Sequence, residues 1–299
     1  MTARPSRGEK IALVLGAGGA RGLAQIGVID ALVARGLDIV AVAGASSGAL
    51  VGGLFASGRL PAFRDWLLAM DRGDMLRLLD PAFGEAALLR GQRLVDALRA
   101  QAGSPRIEEL TIDFTAVAVD LVRQREVWLR EGDLWDAVRA SIAIPGLFTP
   151  HEVHGRELVD GGLLAPLPIA ATRLSDAHRL IAVDMHGWPQ RPPGAPGHRT
   201  DDDVDVPDSA FGRWLSRLWR GAAALSGEDA AGMGFTELMA RSIDTMQAQI
   251  ARVHLALDPP ELVIRIPRDA CQFYEFWRAR ELIALGRAEA ERALDAAGY

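Results

Sequence analysis

Residues 44–48 read Gly-Ala-Ser-Ser-Gly, a G-x-S-x-G pattern between an aliphatic run at 39–43 and an apolar stretch at 49–56. In a strand–turn–helix setting the flanking glycines let the chain reverse sharply, and the central serine, Ser46, sits as a nucleophile at a helix start. Ser47 lies off the centre of the motif, and its expected role is helix capping. Upstream, residues 16–22 read Gly-Ala-Gly-Gly-Ala-Arg-Gly after another aliphatic run. Glycines there let backbone N–H groups approach an anion closely at a helix start. Two functions fit such a loop: a phosphate cradle, or an oxyanion hole for a tetrahedral intermediate. A dinucleotide fingerprint needs glycine at its sixth place, which is Arg21 here, and an acid after the second strand, where Gly44 stands.

A serine nucleophile needs a base. None of the six histidines stands in a triad context; His186, after a strand end, is the one that tempts. The alternative is Asp160, in Leu158-Val159-Asp160-Gly161-Gly162, a carboxylate at a strand end followed by two glycines. An exposed aspartate has a pKa of about 3.9 and is a weak base at pH 7, so the site must raise it by desolvation.

The elements around these residues are those of an α/β fold. Runs at 11–15 and 39–43 show no alternation, as in strands buried on both faces, and helices are predicted at 23–34 and 49–56. That alternation argues for a mostly parallel sheet flanked by helices. Further helices are predicted at 63–79, 92–101, 133–142 (with Asp133 as N-cap), 235–255 and 273–296. Strands are predicted at 112–119, 126–130, 153–159, 180–185 and 263–266. The stretch 187–210 is rich in Pro, Gly and Asp and reads as a surface loop.

Composition removes several classes. The 299 residues carry a formal net charge of −6, against the basic excess of a nucleic-acid binder. One cysteine, Cys271, precludes an internal disulfide and a Cys-rich zinc site. The run Asp201-Asp202-Asp203 lacks the Gly and Glu that an EF-hand loop needs at its sixth and twelfth places, which are Val206 and Gly212. No metal or organic cofactor is expected. The uncharged stretch 39–58 is too broken by Gly and Ser to read as a membrane span, and no secretory signal is predicted, so the expected location is cytoplasmic.

Taken in order, GAGGARG, GASSG and DGG resemble the signatures of the patatin-like phospholipase family. The stretch from Ala140-Ser141 to Pro145 and Phe148 resembles that family's A-S-x-A-x-P-x-x-F segment, and the run from Asp160 to Pro166 and Pro168 resembles its D-G-G-x-x-x-P-x-P run. Ala17 and Ala165 depart from the pattern, where Gly and Asn are usual. The resemblance is close over residues 8–186 and looser over the C-terminal third; it implies a three-layer α/β/α fold over a single domain, 8–299, in which 187–225 is a loop plus amphipathic helix that could serve as a lid. It also implies a Ser–Asp dyad with Ser46 as nucleophile and Asp160 as base, and an oxyanion hole from the amides around Gly18, Gly19 and Arg21. The activity implied is lipid acyl hydrolysis of the phospholipase A or lysophospholipase kind, through an acyl-serine. An acyltransferase with the same dyad, a nucleotide binder and a non-catalytic lipid binder are the alternatives. The substrate would be a lipid or phospholipid ester. At 211–220, Phe211, Trp214, Leu215, Leu218 and Trp219 share one helical face opposite three arginines, which suits a lid or a peripheral membrane contact as well as core packing.

Overall fold

Strand β1 (Lys10–Leu15) is buried at all five positions from Ile11 on, so both faces of the sheet are covered there. The computed structural model describes residues 10–82, 87–190 and 235–299. β1 leads through a 3-10 turn (Gly19–Leu23) into α1 (Ala24–Ala34), then β2 (Asp38–Ala45) and α2 (Ser47–Ala56). β2 pairs with β1 in parallel, as a helical crossover requires. Next come α3 (Leu60–Ala69), α4 (Arg72–Arg77), α5 (Gln92–Ala102), β3 (Asp113–Asp120), β4 (Arg125–Leu129) and α6 (Leu134–Ser141). A hairpin of β5 (His151–Val153) and β6 (Arg156–Asp160) precedes β7 (Arg179–Gly187). α7 (Phe235–Leu257), β8 (Leu262–Pro267) and α8 (Ala279–Ala297) complete the described chain.

The sheet order is β5-β6-β3-β2-β1-β7-β8, with β4 also on β3. Pairs among β3, β2, β1, β7 and β8 are parallel; β4, β5 and β6 add the antiparallel edge. This is the mostly parallel, helix-flanked α/β/α arrangement expected. After β3 the chain returns to the far side of β1, so the strand order reverses at β1. Ligands of open α/β sheets bind outside the carboxyl ends of strands at such a reversal. The glycine loop begins there.

Three boundaries differ from the sequence reading. The helix expected over 63–79 is two helices, because Met70 is extended (ψ 136) and Asp71 accepts from the Asp74 N–H at 2.7 Å to start the second. The strand expected over 153–159 is a hairpin turning at His154 and Gly155, both at positive φ. The C-terminal helix starts at Ala279 rather than at 273, after turns through Phe273–Arg278. The loop at 187–210 (beyond Gln190) and the amphipathic stretch at 211–220 lie outside the described residues. Among the described residues no helix is long and apolar enough to cross a membrane.

Candidate active site

Strand register brings the two catalytic candidates together. β2 and β6 both pair with β3 but run in opposite directions, and their ends meet on adjacent rungs: Ala45 lies opposite Val117, Asp160 opposite Ala118. A Cβ on Gly161 would stand 3.3 Å from that of Ala45, so the two ends are in contact. The next residue after β2 is Ser46, whose φ of 55° and ψ of −125° are those of a sharp reversal. A non-glycine residue at positive φ is strained, and such strain collects at functional sites. The reversal needs glycine two positions on, since a Cβ on Gly48 would lie 2.1 Å from the Leu15 carbonyl oxygen.

The Ser46 Oγ donates to Asp160 Oδ2 at 2.6 Å, across 114 residues of sequence. Both are buried, at 4% and 2% exposure. Asp160 Oδ1 accepts from the Gly162 N–H at 2.6 Å. Desolvation pushes the Asp160 carboxyl up to about 7, against the Ser46 and Gly162 hydrogen bonds, which favour the charged form. Helix α7 covers this corner: Gln247 Nε2 is 2.7 Å from where a Gly162 Cβ would lie.

Ser141 holds the elbow in place. Its Oγ accepts from the Ser46 N–H at 2.9 Å and donates to the Val117 carbonyl at 2.6 Å, and it is fully buried. The sequence motifs gave Ser141 no role beyond family likeness, since its contacts are all long-range. Ser141→Ala leaves the Ser46 N–H buried and unpaired. It should cost about 1–3 kcal/mol of stability and slow ester turnover as the strained turn relaxes, both read by urea unfolding and an esterase assay. Unchanged stability and turnover would exclude this role.

The glycine-loop amides have different partners. Gly16 and Ala17 donate to the Val183 and Pro166 carbonyls at 3.1 and 2.8 Å, fixing the start of the loop. The Gly18 N–H donates to Ser47 Oγ at 3.1 Å, so Ser47 is tied to the glycine loop rather than acting as a helix cap. The Arg21 N–H donates to the Gly18 carbonyl at 3.2 Å within the 3-10 turn. Gly19, at φ 55° with the Phe273 ring 2.3 Å from where its Cβ would lie, has an N–H with no acceptor among the described residues. Of the three expected oxyanion donors, the Gly19 amide alone is unengaged among the described residues.

The Arg21 side chain is buried and braces the loop. Its guanidinium donates to the Arg268 carbonyl at 2.7 Å and pairs with Asp244 on α7. His186 belongs to this cluster, with its ring nitrogens 3.5 Å from Asp184 Oδ1 and 3.7 Å from Asp244 Oδ1. Burial alone would raise the Asp184 carboxyl, but hydrogen bonds from the His186 ring and N–H outweigh it and hold it low. His186 therefore partners carboxylates beside the loop, and the Ser46 hydroxyl bonds directly to Asp160. Burial pushes the Cys271 thiol up to about 12, too high to supply a thiolate nucleophile.

An open cavity of about 780 Å³ runs along β4 to Leu164, four residues past Asp160. Arg125, Glu126, Trp128 and Arg156 line it, and the dyad does not.

The pattern of the patatin-like phospholipase family matches residues 13–173, from β1 to just past the Asp160 loop. A Mycobacterium tuberculosis protein called an uncharacterized NTE family protein is 39% identical over 346 residues, covering 98% of this chain and 93% of that protein. The mouse patatin-like phospholipase domain-containing protein 7 is 31% identical over 226 residues, 73% of this chain and 16% of that protein. The lysophospholipase NTE1 of Cryptococcus neoformans is 32% identical over 222 residues, 71% of this chain and 13% of that protein. Matched by the family pattern over more than half its length and by a relative almost end to end, this chain belongs to the patatin-like phospholipase family.

Proposed function

We propose that this chain hydrolyses acyl esters of lipids, of the phospholipase A or lysophospholipase class, with Ser46 as nucleophile and Asp160 as base. The observation that carries the reading is the direct 2.6 Å hydrogen bond from Ser46 Oγ to Asp160 Oδ2. The family and the name of the fungal relative support the lipid class.

In the proposed reaction the Ser46 oxygen attacks the ester carbonyl while its proton passes to Asp160. The carbonyl electron pair moves onto oxygen, and the Gly19 N–H stands ready to stabilise that charge. Gly18 would join once a substrate oxygen displaces Ser47 Oγ. One such donor is worth about 3 kcal/mol in the transition state. Collapse breaks the ester bond, and Asp160 returns the proton to the departing alcohol. Water then attacks the acyl-serine, giving its proton to Asp160, and the fatty acid leaves as Ser46 is reprotonated. Among the described residues no histidine mediates the transfer.

This base works only when ionised. With its pKa near 7, Asp160 is mostly protonated at pH 5 and mostly charged at pH 8. We expect kcat/KM for p-nitrophenyl butyrate to rise through one ionisation near pH 7 and then level off. A rate flat across that range would contradict the assignment of the base.

A further inference from the structure

The carboxyl ends of the parallel strands carry more than Ser46 and the glycine loop. Among the described residues eleven large apolar side chains are exposed. Five of them follow these strand ends. Leu121 (53% exposed) and Val122 (89%) form the turn after β3; Trp188 (78%) follows β7; Tyr274 (47%) and Phe276 (38%) come after β8. Scattered exposed apolar residues need no explanation, but a group along one edge does.

Their placement is set by the sheet. In the order β3-β2-β1-β7, the strands ending in Ser46 and the glycine loop lie between those ending in Leu121-Val122 and in Trp188. Three strand spacings of about 4.8 Å put the two prongs roughly 14 Å apart, one on each side of the nucleophile. The segment bearing Tyr274 starts at Phe273, whose ring abuts Gly19 and whose carbonyl accepts from the Ala20 N–H at 2.9 Å.

Each prong pairs an apolar tip with a cation. Residues 121–125 read Leu-Val-Arg-Gln-Arg. Arg123 is tied to Asp120 at 2.8 Å, but Arg125 is exposed and meets no carboxylate among the described residues. Beside Trp188, the Arg268 N–H donates to the Gly187 carbonyl at 3.2 Å; the Arg268 side chain is likewise exposed, with no acid partner among the described residues. Apolar tips with arginines behind them match a lipid surface, where acyl chains underlie a layer of phosphates.

We propose that this edge docks on a phospholipid surface, with Leu121-Val122 and Trp188 inserted on either side of the strand end that carries Ser46 and Arg125 and Arg268 on headgroup phosphates. The proposal rests on the lipid-ester reading above and adds where the lipid aggregate sits. It is independent of residues 211–220.

Flotation of the full chain with phosphatidylcholine vesicles, with and without phosphatidylglycerol, tests it. The wild type should float. Val122→Asp/Trp188→Asp should reduce vesicle binding by about tenfold or more. Arg125→Gln/Arg268→Gln should weaken binding to the phosphatidylglycerol vesicles alone. Both variants should keep wild-type melting temperatures and turnover of soluble p-nitrophenyl butyrate, a monomeric ester that needs no surface. A wild type that fails to float, or a Val122→Asp/Trp188→Asp variant that floats equally well, would overturn the docking proposal. Absence of turnover of the soluble ester by wild type would instead count against the hydrolase reading, whatever the vesicles show.

Discussion

Asp160→Asn should abolish ester hydrolysis and make the protein more stable above neutral pH. Asparagine keeps an oxygen that can accept from Ser46 or Gly162 but cannot take a proton. The loss of a general base should lower turnover by about 10³–10⁴-fold. The stability gain follows from burial. In the unfolded chain the Asp160 carboxyl ionises near 3.8, whereas in the folded chain it holds its proton to about 7. Below pH 4 both states are protonated and the substitution should change little. As pH rises from 4 to 7 the unfolded state loses its proton first, and folding becomes progressively less favourable. Above 7 both states are ionised and the folded one bears the full desolvation cost. Asp160→Asn removes that cost, so urea unfolding at pH 8 should show a gain of about 2–4 kcal/mol that vanishes in acid. A variant less stable than wild type at pH 8 would show that the buried carboxylate stabilises the fold.

Gly48→Ala should be among the most damaging single methyl additions to this chain. The new Cβ would lie 2.1 Å from the Leu15 oxygen, 2.6 Å from its carbonyl carbon and 3.0 Å from the Gly16 oxygen. All three are backbone atoms at the carboxyl end of β1, so no rotamer change relieves the clash. Either α2 lifts off the sheet, carrying Ser46 with it, or the glycine loop moves. A cost of about 3 kcal/mol or more is expected, with activity lost even in the fraction that folds. Gly36→Ala is the control. Gly36 has φ 74° and nothing within 4 Å of its would-be Cβ, so only the backbone penalty of about 1 kcal/mol applies. Equal melting temperatures for the two variants would refute the close-packed elbow.

What the sequence discloses here is what covalent spacing enforces. The Ser46 elbow, the glycine loop and Asp160-Gly161-Gly162 are legible because a tight turn or a close backbone approach restricts residue type at fixed offsets. The buried strands are legible because a strand covered on both faces must be apolar at successive positions, as 11–15 is. Contacts across long stretches leave no such trace. Ser141 reaches Ser46 over 95 residues, and nothing in its neighbours marks it as the acceptor for that N–H. Ser47 looks like a cap because it precedes a helix, yet it takes the Gly18 amide from the other motif. That engagement, and the 3-10 bond of the Arg21 amide, could not be anticipated from glycine spacing alone. Two of the differing boundaries do carry local signals. Asp71-x-x-Asp74 marks a new helix start within 63–79, and His154-Gly155 marks a hairpin turn.

The central claim is that Asp160 activates Ser46 directly. A fluorophosphonate probe tests it most closely, because its reaction rate reports the nucleophilicity of the serine without involving a lipid surface. A single adduct is expected, located on Ser46 by mass spectrometry. The rate of its formation should rise through one ionisation near pH 7, persist in His186→Gln and fall to background in Asp160→Asn. Labelling of Asp160→Asn at the wild-type rate, or an adduct on any other residue, would contradict it.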